Sequence, residues 1–265
     1  MIATWNPNGL SDLNKFSRVI RRAKSEGIDA LLIQEHNLRS SKQLAAAAFR
    51  ARVAGFSLHI ARRSLDSSRG GTAVLVREDS DIRVVGRACT ALDGAYCAVP
   101  VSIGDHNTRL ISLYVPAKRT ERITFIRLFK ARPELIRRTD IVGGDFNCVP
   151  DVPADTRKSD PTAEPYPNVG GAQMEALLSE IGLTDVYREF HGDDVRAYSR
   201  ECDTIHTRID RLSDCTVCKC LCHILSMSFS TQQPRRPHVP SPRPLTLPTP
   251  QAGRPKHAGG LYRYE

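Results

Sequence analysis

The sequence predicts a mixed α+β fold, with short parallel and antiparallel strands flanked by helices. Three observations predict it. The chain opens strand–helix–strand between Ile2 and Ile33. Short strands then follow one another with turns at Asp93-Gly94 and Gly104-Asp105, a spacing that reads as an antiparallel meander and not as βαβ units. A helix leads into the β-branched segment Ile141-Val142, which ends in two glycines and a polar pair. At 265 residues and 40% apolar content the chain is long and apolar enough for a real core, as one large or two small domains.

Taken in order, Ile2–Trp5 reads as a strand closed by the turn Asn6-Pro7-Asn8-Gly9. Ser11 is the expected N-cap of a helix whose apolar stripe is Leu13, Phe16, Ile20 and Ala23, with Gly27 as its stop. Asp29–Ile33 is a buried strand with Gln34-Glu35 at its far end. This arrangement brings Asn6, Asn8 and Glu35 to the carboxyl ends of two strands, where open α/β sheets place their sites. A second helix is expected over Leu44–Ala54, then strands over Gly70–Val76, Ile82–Cys89, Tyr96–Ile103 and Arg109–Val115, the last closed by Pro116. Ile123–Ala131 is a helix with Ile123, Ile126 and Phe129 inward. Val149–Val169, rich in Pro and Asp, is a long loop, and Ala172–Ile181 is a helix stopped by Gly182. Tyr198–Arg200 and His206–Asp210 read as the arms of a final hairpin.

After Leu212 the character changes. Cys215, Cys218, Cys220 and Cys222 crowd together ahead of His223, and eight of the seventeen prolines lie between Pro234 and Pro255. The expected division is therefore a folded domain over residues 1–212 and a Cys cluster with a disordered Pro/Arg tail over 213–265. The formal net charge is +9, yet residues 213–265 hold seven Lys/Arg against two Asp/Glu. The body is only mildly basic, compatible with a nucleic-acid partner but not diagnostic of one. No apolar run approaches the ~18 residues of a membrane span, and no leader is visible, so an intracellular protein, in nucleus or cytoplasm, is expected. A phosphate-binding glycine loop and a dinucleotide fingerprint are absent from the sequence.

Asp145 and Asn147 stand two positions apart on an extended segment and so face one side, a carboxylate beside a neutral hydrogen-bonding group. A plain turn explains them equally well. Asn6 and Asn8 alone are turn formers, Glu35 alone a solvated strand end, Tyr114 an interface aromatic, and Asp210 a partner for Arg208 or Arg211. Together they are five strand ends carrying polar groups suited to a hard cation or a phosphate.

The ordered set W-N-x-N-G-L (Trp5–Leu10), Q-E (Gln34-Glu35), G-G-x-A-V-L-V (Gly70–Val76), L-Y-V-P (Leu113–Pro116), G-D-F-N (Gly144–Asn147) and T-R-I-D (Thr207–Asp210) resembles the endonuclease/exonuclease/phosphatase superfamily. It is most similar to the apurinic-type endonuclease domain of LINE-like non-LTR retrotransposons. The resemblance covers Ile2–Leu212 and implies a four-layer α/β/β/α sandwich with its site at one end of two sheets. It implies a Mg²⁺-dependent DNA endonuclease leaving a 3′-hydroxyl, with Mn²⁺ as the alternative metal. Glu35 matches the metal-binding glutamate, Asn8 the neighbouring metal-side position, and Asn6 the asparagine that holds the site around metal and phosphate. Tyr114 matches a tyrosine on the scissile phosphate, Asp145 the residue that deprotonates the attacking water, and Asn147 a ligand of a non-bridging oxygen. Asp210 matches an aspartate that orients a downstream histidine, and Arg208 of the T-R-I-D box is taken as substrate-binding. A monomer is expected.

The chain departs from the pattern in one place. The S-D-H motif that ends such domains is absent; Ser213-Asp214-Cys215 lacks the histidine and follows Asp210 too closely to be the next strand end. The expected fold therefore lacks its last core strand, leaving an exposed sheet edge. Activity is expected to fall by about 10²–10⁴-fold, the usual contribution of a general acid–base group. The composition break suggests a frameshifted end, and zinc at the Cys cluster is disfavoured because structural sites usually pair two separated ligand couples. The alternatives are a catalytically inactive DNA-binding relic and a related phosphatase acting on another phosphoester.

Overall fold

The computed structural model describes residues 1–64, 70–162, 164, 166–192, 195, 198–201, 205–214 and 261–264. Cys202, the Cys215–His223 cluster and the Pro-rich stretch lie outside the described residues, and with them the zinc and frameshift expectations.

The elements follow in the order β1 (Ile2–Trp5), α1 (Leu13–Ser25), β2 (Ala30–Gln34), α2 (Ser41–Val53), β3 (Phe56–Ala61), β4 (Thr72–Arg77), β5 (Ile82–Val84), β6 (Cys89–Ala91), β7 (Tyr96–Ile103) and β8 (His106–Tyr114). Next come α3 (Arg119–Lys130), β9 (Ile141–Asp145), α4 (Val152–Asp155), β10 (Thr156–Lys158), α5 (Gly171–Ile181), β11 (Thr184–Asp185), α6 (Val186–His191), β12 (Arg200–Glu201), β13 (Ile205–Thr207), β14 (Asp210–Asp214) and β15 (Leu261–Tyr264).

Two sheets stack. The first runs β15-β1-β2-β4-β3, and the second runs β11-β14-β9-β8-β7-β5 with β6 also on β7. Among the described residues, only β1/β2 and β8/β9 pair in parallel within them. Leu32, Val74 and Val76 of the first sheet share one buried apolar cluster with Val99, Leu110 and Val142 of the second. On the outer face of the first sheet, Phe16, Val19, Ile20 and Ala23 of α1 and Ala47 and Ala51 of α2 pack with Ala3, Leu31 and Leu75. Phe125, Ile126 and Phe129 of α3, with Met174, Leu177 and Leu178 of α5, flank the second sheet. The result is the four-layer α/β/β/α sandwich.

Local chemistry adjusts several boundaries. Asp12, not Ser11, caps α1, accepting from Asn14 N–H at 2.8 Å. A capping box of Ser40 and Gln43 starts α2 before Leu44. β3 was not expected from the sequence; Phe56, Leu58 and Ile60 alternate with Ser57 and His59 as an edge strand does. The Ile82–Cys89 strand is instead two short ones, β5 and β6.

One expectation is corrected. A missing last strand would leave β1 at the edge of its sheet, but Leu261–Tyr264 pairs antiparallel along its whole length, Ile2 opposite Tyr264 and Trp5 opposite Leu261. A four-residue partner satisfies the outer N–H and C=O groups of β1, which an open edge would leave exposed. The strand β14 likewise continues to Asp214 on the far side of β9.

Two glycines pack tightly under the site, Gly143 against the first sheet and Gly144 against the neighbouring strand of its own. A Cβ on Gly143 would lie 2.5 Å from Leu32 Cδ1, and one on Gly144 2.0 Å from the Leu113 carbonyl oxygen. Only glycine permits that contact. Beside it a buried polar bridge ties the sheets together: Gln34 Nε2 donates to Thr4 Oγ1 (3.1 Å) and Ser112 Oγ (3.0 Å), and Ser112 Oγ donates to the Ile33 carbonyl (2.8 Å).

Candidate active site

The site forms where β1, β2, β8 and β9 end and β14 begins. Asn6 follows β1, Glu35 follows β2, Tyr114 ends β8, Asp145 ends β9, and Asp210 opens β14. Parallel pairing brings Tyr114 opposite Asp145, and antiparallel pairing brings Asp210 opposite Asp145. Asn8, Glu35 and Asn147 hold left-handed backbone, with φ of 51°, 50° and 48°. Asparagine tolerates that region, whereas glutamate adopts it at a cost of order 1–3 kcal/mol, the kind of strain that functional sites retain.

Asn6 is the hub. Its Nδ2 donates to Asp145 Oδ2 at 2.8 Å and lies 3.2 Å from Glu35 Oε1, while its Oδ1 accepts from the Asn8 backbone N–H at 2.9 Å. Asp145 Oδ1 accepts from the Asn147 backbone N–H at 2.9 Å, so both of its oxygens are held. Asn147 Nδ2 donates to the Val115 carbonyl at 2.9 Å, which fixes the carboxamide plane. Tyr114 hydrogen-bonds Glu35.

Electrostatics follow from this crowding. Burial pushes the Asp145 carboxyl up to about 7; Asn6 and Asn147 pull against it, and the Glu35 charge adds to it. Asp210 is raised well above the usual carboxylate range, first by burial and then by the Asp145 charge. Burial and the neighbouring Glu35 and Asp145 carboxylates hold Tyr114 firmly as the phenol.

Six of the expected residues therefore gather in one network: Asn6, Glu35, Tyr114, Asp145, Asn147 and, through the ladder, Asp210. Asn8 joins by its backbone, and its side chain is exposed beside them. Arg208 does not join, which corrects its expected substrate-binding role. It is 0% exposed, 2.7 Å from Asp155 Oδ1 and 2.8 Å from Asp185 Oδ2, with its guanidinium 5.3 Å from the Tyr187 ring centre. Nor does Asp210 pair with Arg208 or Arg211, because Arg211 points to the opposite face and meets Glu175 at 2.9 Å. Ser199 and Tyr166 were not legible as site residues. Ser199 Oγ accepts from the Asp210 N–H at 3.0 Å, and Tyr166 Oη donates to the Asn147 carbonyl at 3.0 Å. Ser112 and Gln34 beneath the site carry no signal beyond their position next to Tyr114 and Glu35.

Among the described residues no three His, Cys, Asp or Glu side chains converge as a metal cage. The oxygen groups on the expected metal side are the Glu35 carboxylate and the Asn8 and Asn6 carboxamides, with Asp145 and Asp210 buried beyond them. That set suits a hard cation that keeps most of its water, and not a soft metal needing several anionic or sulfur ligands.

A model of the endonuclease/exonuclease/phosphatase family matches residues 3–212. By sequence alone, no curated protein matches the chain. Solved structures do. The AP endonuclease LMAP from Leishmania major superposes with a TM-score of 0.64 at 15% identity, over 81% of this chain and 78% of that one. The 3′ phosphatase NExo from Neisseria, bound to a product DNA hairpin, gives 0.60 at 19% identity, over 82% and 86%. The endonuclease domain of TRAS1, a telomere-specific non-LTR retrotransposon, gives 0.56 at 14% identity, over 83% and 87%. At these identities the likeness is one of fold. With the matched family model spanning most of the chain, the protein belongs to the endonuclease/exonuclease/phosphatase family.

Proposed function

We propose that the protein is a Mg²⁺-dependent endonuclease that hydrolyses the DNA backbone, of the retrotransposon endonuclease type, leaving a 3′-hydroxyl. One observation carries the reading: a single carboxamide, Asn6 Nδ2, lies within hydrogen-bond reach of both Glu35 and Asp145. A metal-side carboxylate and a candidate base are thereby held on either side of one neutral group.

A phosphodiester is an anion that repels water's attack, so charge must be offset and the nucleophile positioned. Glu35 and the Asn8 carboxamide would hold the cation, which supplies charge neutralisation at the phosphate when bound. Asp145 orients the attacking water and accepts its proton. Its oxygens already accept two hydrogen bonds, which keeps the carboxylate aimed. Tyr114, held as a phenol, turns its single O–H from Glu35 to a phosphate oxygen when substrate binds, and the neutral Asn6 and Asn147 keep the site from becoming too negative for an anion. The order of the sequence boxes and the likeness to the TRAS1 domain favour the retrotransposon type, and the DNA hairpin in the NExo structure favours DNA.

Plasmid nicking in Mg²⁺, with Mn²⁺ as a second arm, tests the reading. Asp145→Ala should abolish conversion of supercoiled to open-circular DNA. Equal nicking by the variant and the parent chain rejects catalysis at this site. Binding of DNA without nicking by the parent chain identifies the inactive relic instead.

A further inference from the structure

Asp210 is the carboxyl group of the site with an oxygen left over. It lies directly opposite Asp145 in the β9–β14 ladder, and opposed Cβ atoms in such a ladder are about 4.5–5.5 Å apart. Both side chains are buried, 4% and 3% exposed. Two buried carboxyls at this range do not both ionise near neutral pH, so the pair holds a proton. The donors decide where it sits. Asp145 receives Asn6 Nδ2 on one oxygen and the Asn147 N–H on the other. Asp210 hydrogen-bonds Ser199, and its Oδ1 has no hydrogen-bond partner among the described residues. The negative charge belongs where the donors are, and the proton on the oxygen that lacks them. The charged groups facing Asp210 are Asp145 and Glu35, which favour its neutral form, and Arg200, which opposes it.

We propose that Asp210 is a neutral carboxylic acid in the resting protein and that its Oδ1–H is the proton donor to the leaving oxygen of the phosphodiester. This inference rests on the endonuclease reading above. It gives a chain without S-D-H a replacement for the imidazole of that pattern. The protons and electrons balance. As the water oxygen bonds to phosphorus, one water proton passes to the Asp145 carboxylate. The P–O3′ bond breaks, its electron pair stays on O3′, and O3′ takes the proton of Asp210. Asp145 is then neutral and Asp210 anionic, and return of the proton across the ladder restores the starting pair. No further reactant is consumed.

Two measurements test it. The first does not depend on turnover: the infrared difference spectrum between the parent chain and Asp210→Asn at pH 7 should contain the carbonyl stretch of a protonated carboxyl. A carboxylate signal in its place overturns the proposal whether or not the chain cuts DNA. The second uses Mg²⁺-dependent nicking. Asp210→Asn keeps an N–H donor but cannot release a proton, so kcat should fall by about 10²–10⁴-fold with KM nearly constant, and the alkaline limb of the pH profile should disappear. Alanine at His223, His238 or His257 should leave rate and profile intact. If one of those histidine variants loses as much activity as Asp210→Asn and carries away the alkaline limb, the donor is an imidazole and the proposal fails. An inactive parent chain would sink the endonuclease reading, while the infrared result still decides the state of Asp210.

Discussion

Asn6 shares one amide nitrogen between two carboxylates, 3.2 Å from Glu35 and 2.8 Å from Asp145, and so offsets a repulsion that would otherwise push both apart. Removing it leaves Asp145 with one donor and Glu35 facing it unscreened. Preorganised donors at a reacting centre are typically worth about 10²–10³ in rate, so Asn6→Ala should lower Mg²⁺-dependent nicking by that factor. Asn6→Asp should be worse, since a third carboxylate would repel the phosphate as well. Steady-state nicking rates at saturating Mg²⁺ check both, and an Asn6→Ala protein as fast as its parent would remove Asn6 from the site. These residues were legible in the sequence because each ends a short β-branched run, so polarity and strand period sufficed. Ser199 and Tyr166 were not, because nothing local distinguishes a serine or tyrosine that bonds a residue many positions away.

At the scale of elements, β14 shows how one strand serves two purposes. Successive side chains alternate faces, so Asp210 enters the site while Arg211 turns to Glu175 and stacks over Phe146, 4.3 Å from its ring centre. Arg208 lies just before β14 and anchors the chain's crossing from the small β10-β13-β12 sheet into the second sheet, where Asp155 and Asp185 receive it. Its place next to Ile209 and Asp210 in the T-R-I-D box suggested substrate. The side chain went the other way because the chain changes sheets there, which no periodicity reveals. Arg208→Met should cost about 3–5 kcal/mol, since it leaves Asp155 buried with less compensation, and should leave KM for DNA unchanged in protein that remains folded. Urea unfolding and nicking kinetics read the two effects separately. Burial alone would raise the Asp155 carboxyl, but Arg208 and Arg188 outweigh it and hold it below its ordinary 3.8. Its contribution is therefore present above that value and is lost as pH falls through the lower folded one. Stability should drop with acid below about pH 4, and Arg208→Met should lose less of it over that range.

The whole molecule is two sheets in contact at Gly143, where a Cβ would meet Leu32 of β2 and Thr4 of β1, and β1 lies at that contact with β2 on one side and β15 on the other. A chain ended after Asp214 would keep every site residue and lose one of the two partners of β1. It should melt at a lower temperature and scatter more light on heating, because an uncovered strand edge is a template for association. It should also bind DNA with a shallower dependence on salt, since residues 213–265 carry seven of the basic side chains and two of the acidic ones. Thermal unfolding, light scattering and salt-titrated binding measure these together; identical behaviour of both chains would show that β15 contributes nothing to the fold.

By itself the sequence determined the fold class, the order of most strands and the polar groups at their ends, because short apolar periods and turn chemistry are properties of neighbours in the chain. Edge strand β3, the split of the Ile82–Cys89 strand and the return of Leu261–Tyr264 to β1 were decided only by tertiary structure, where pairing depends on what lies across the sheet. The same holds within the site. The sequence named Asp145 and Asp210 separately, but only the ladder set them opposite each other, where two buried carboxyls must share charge and proton.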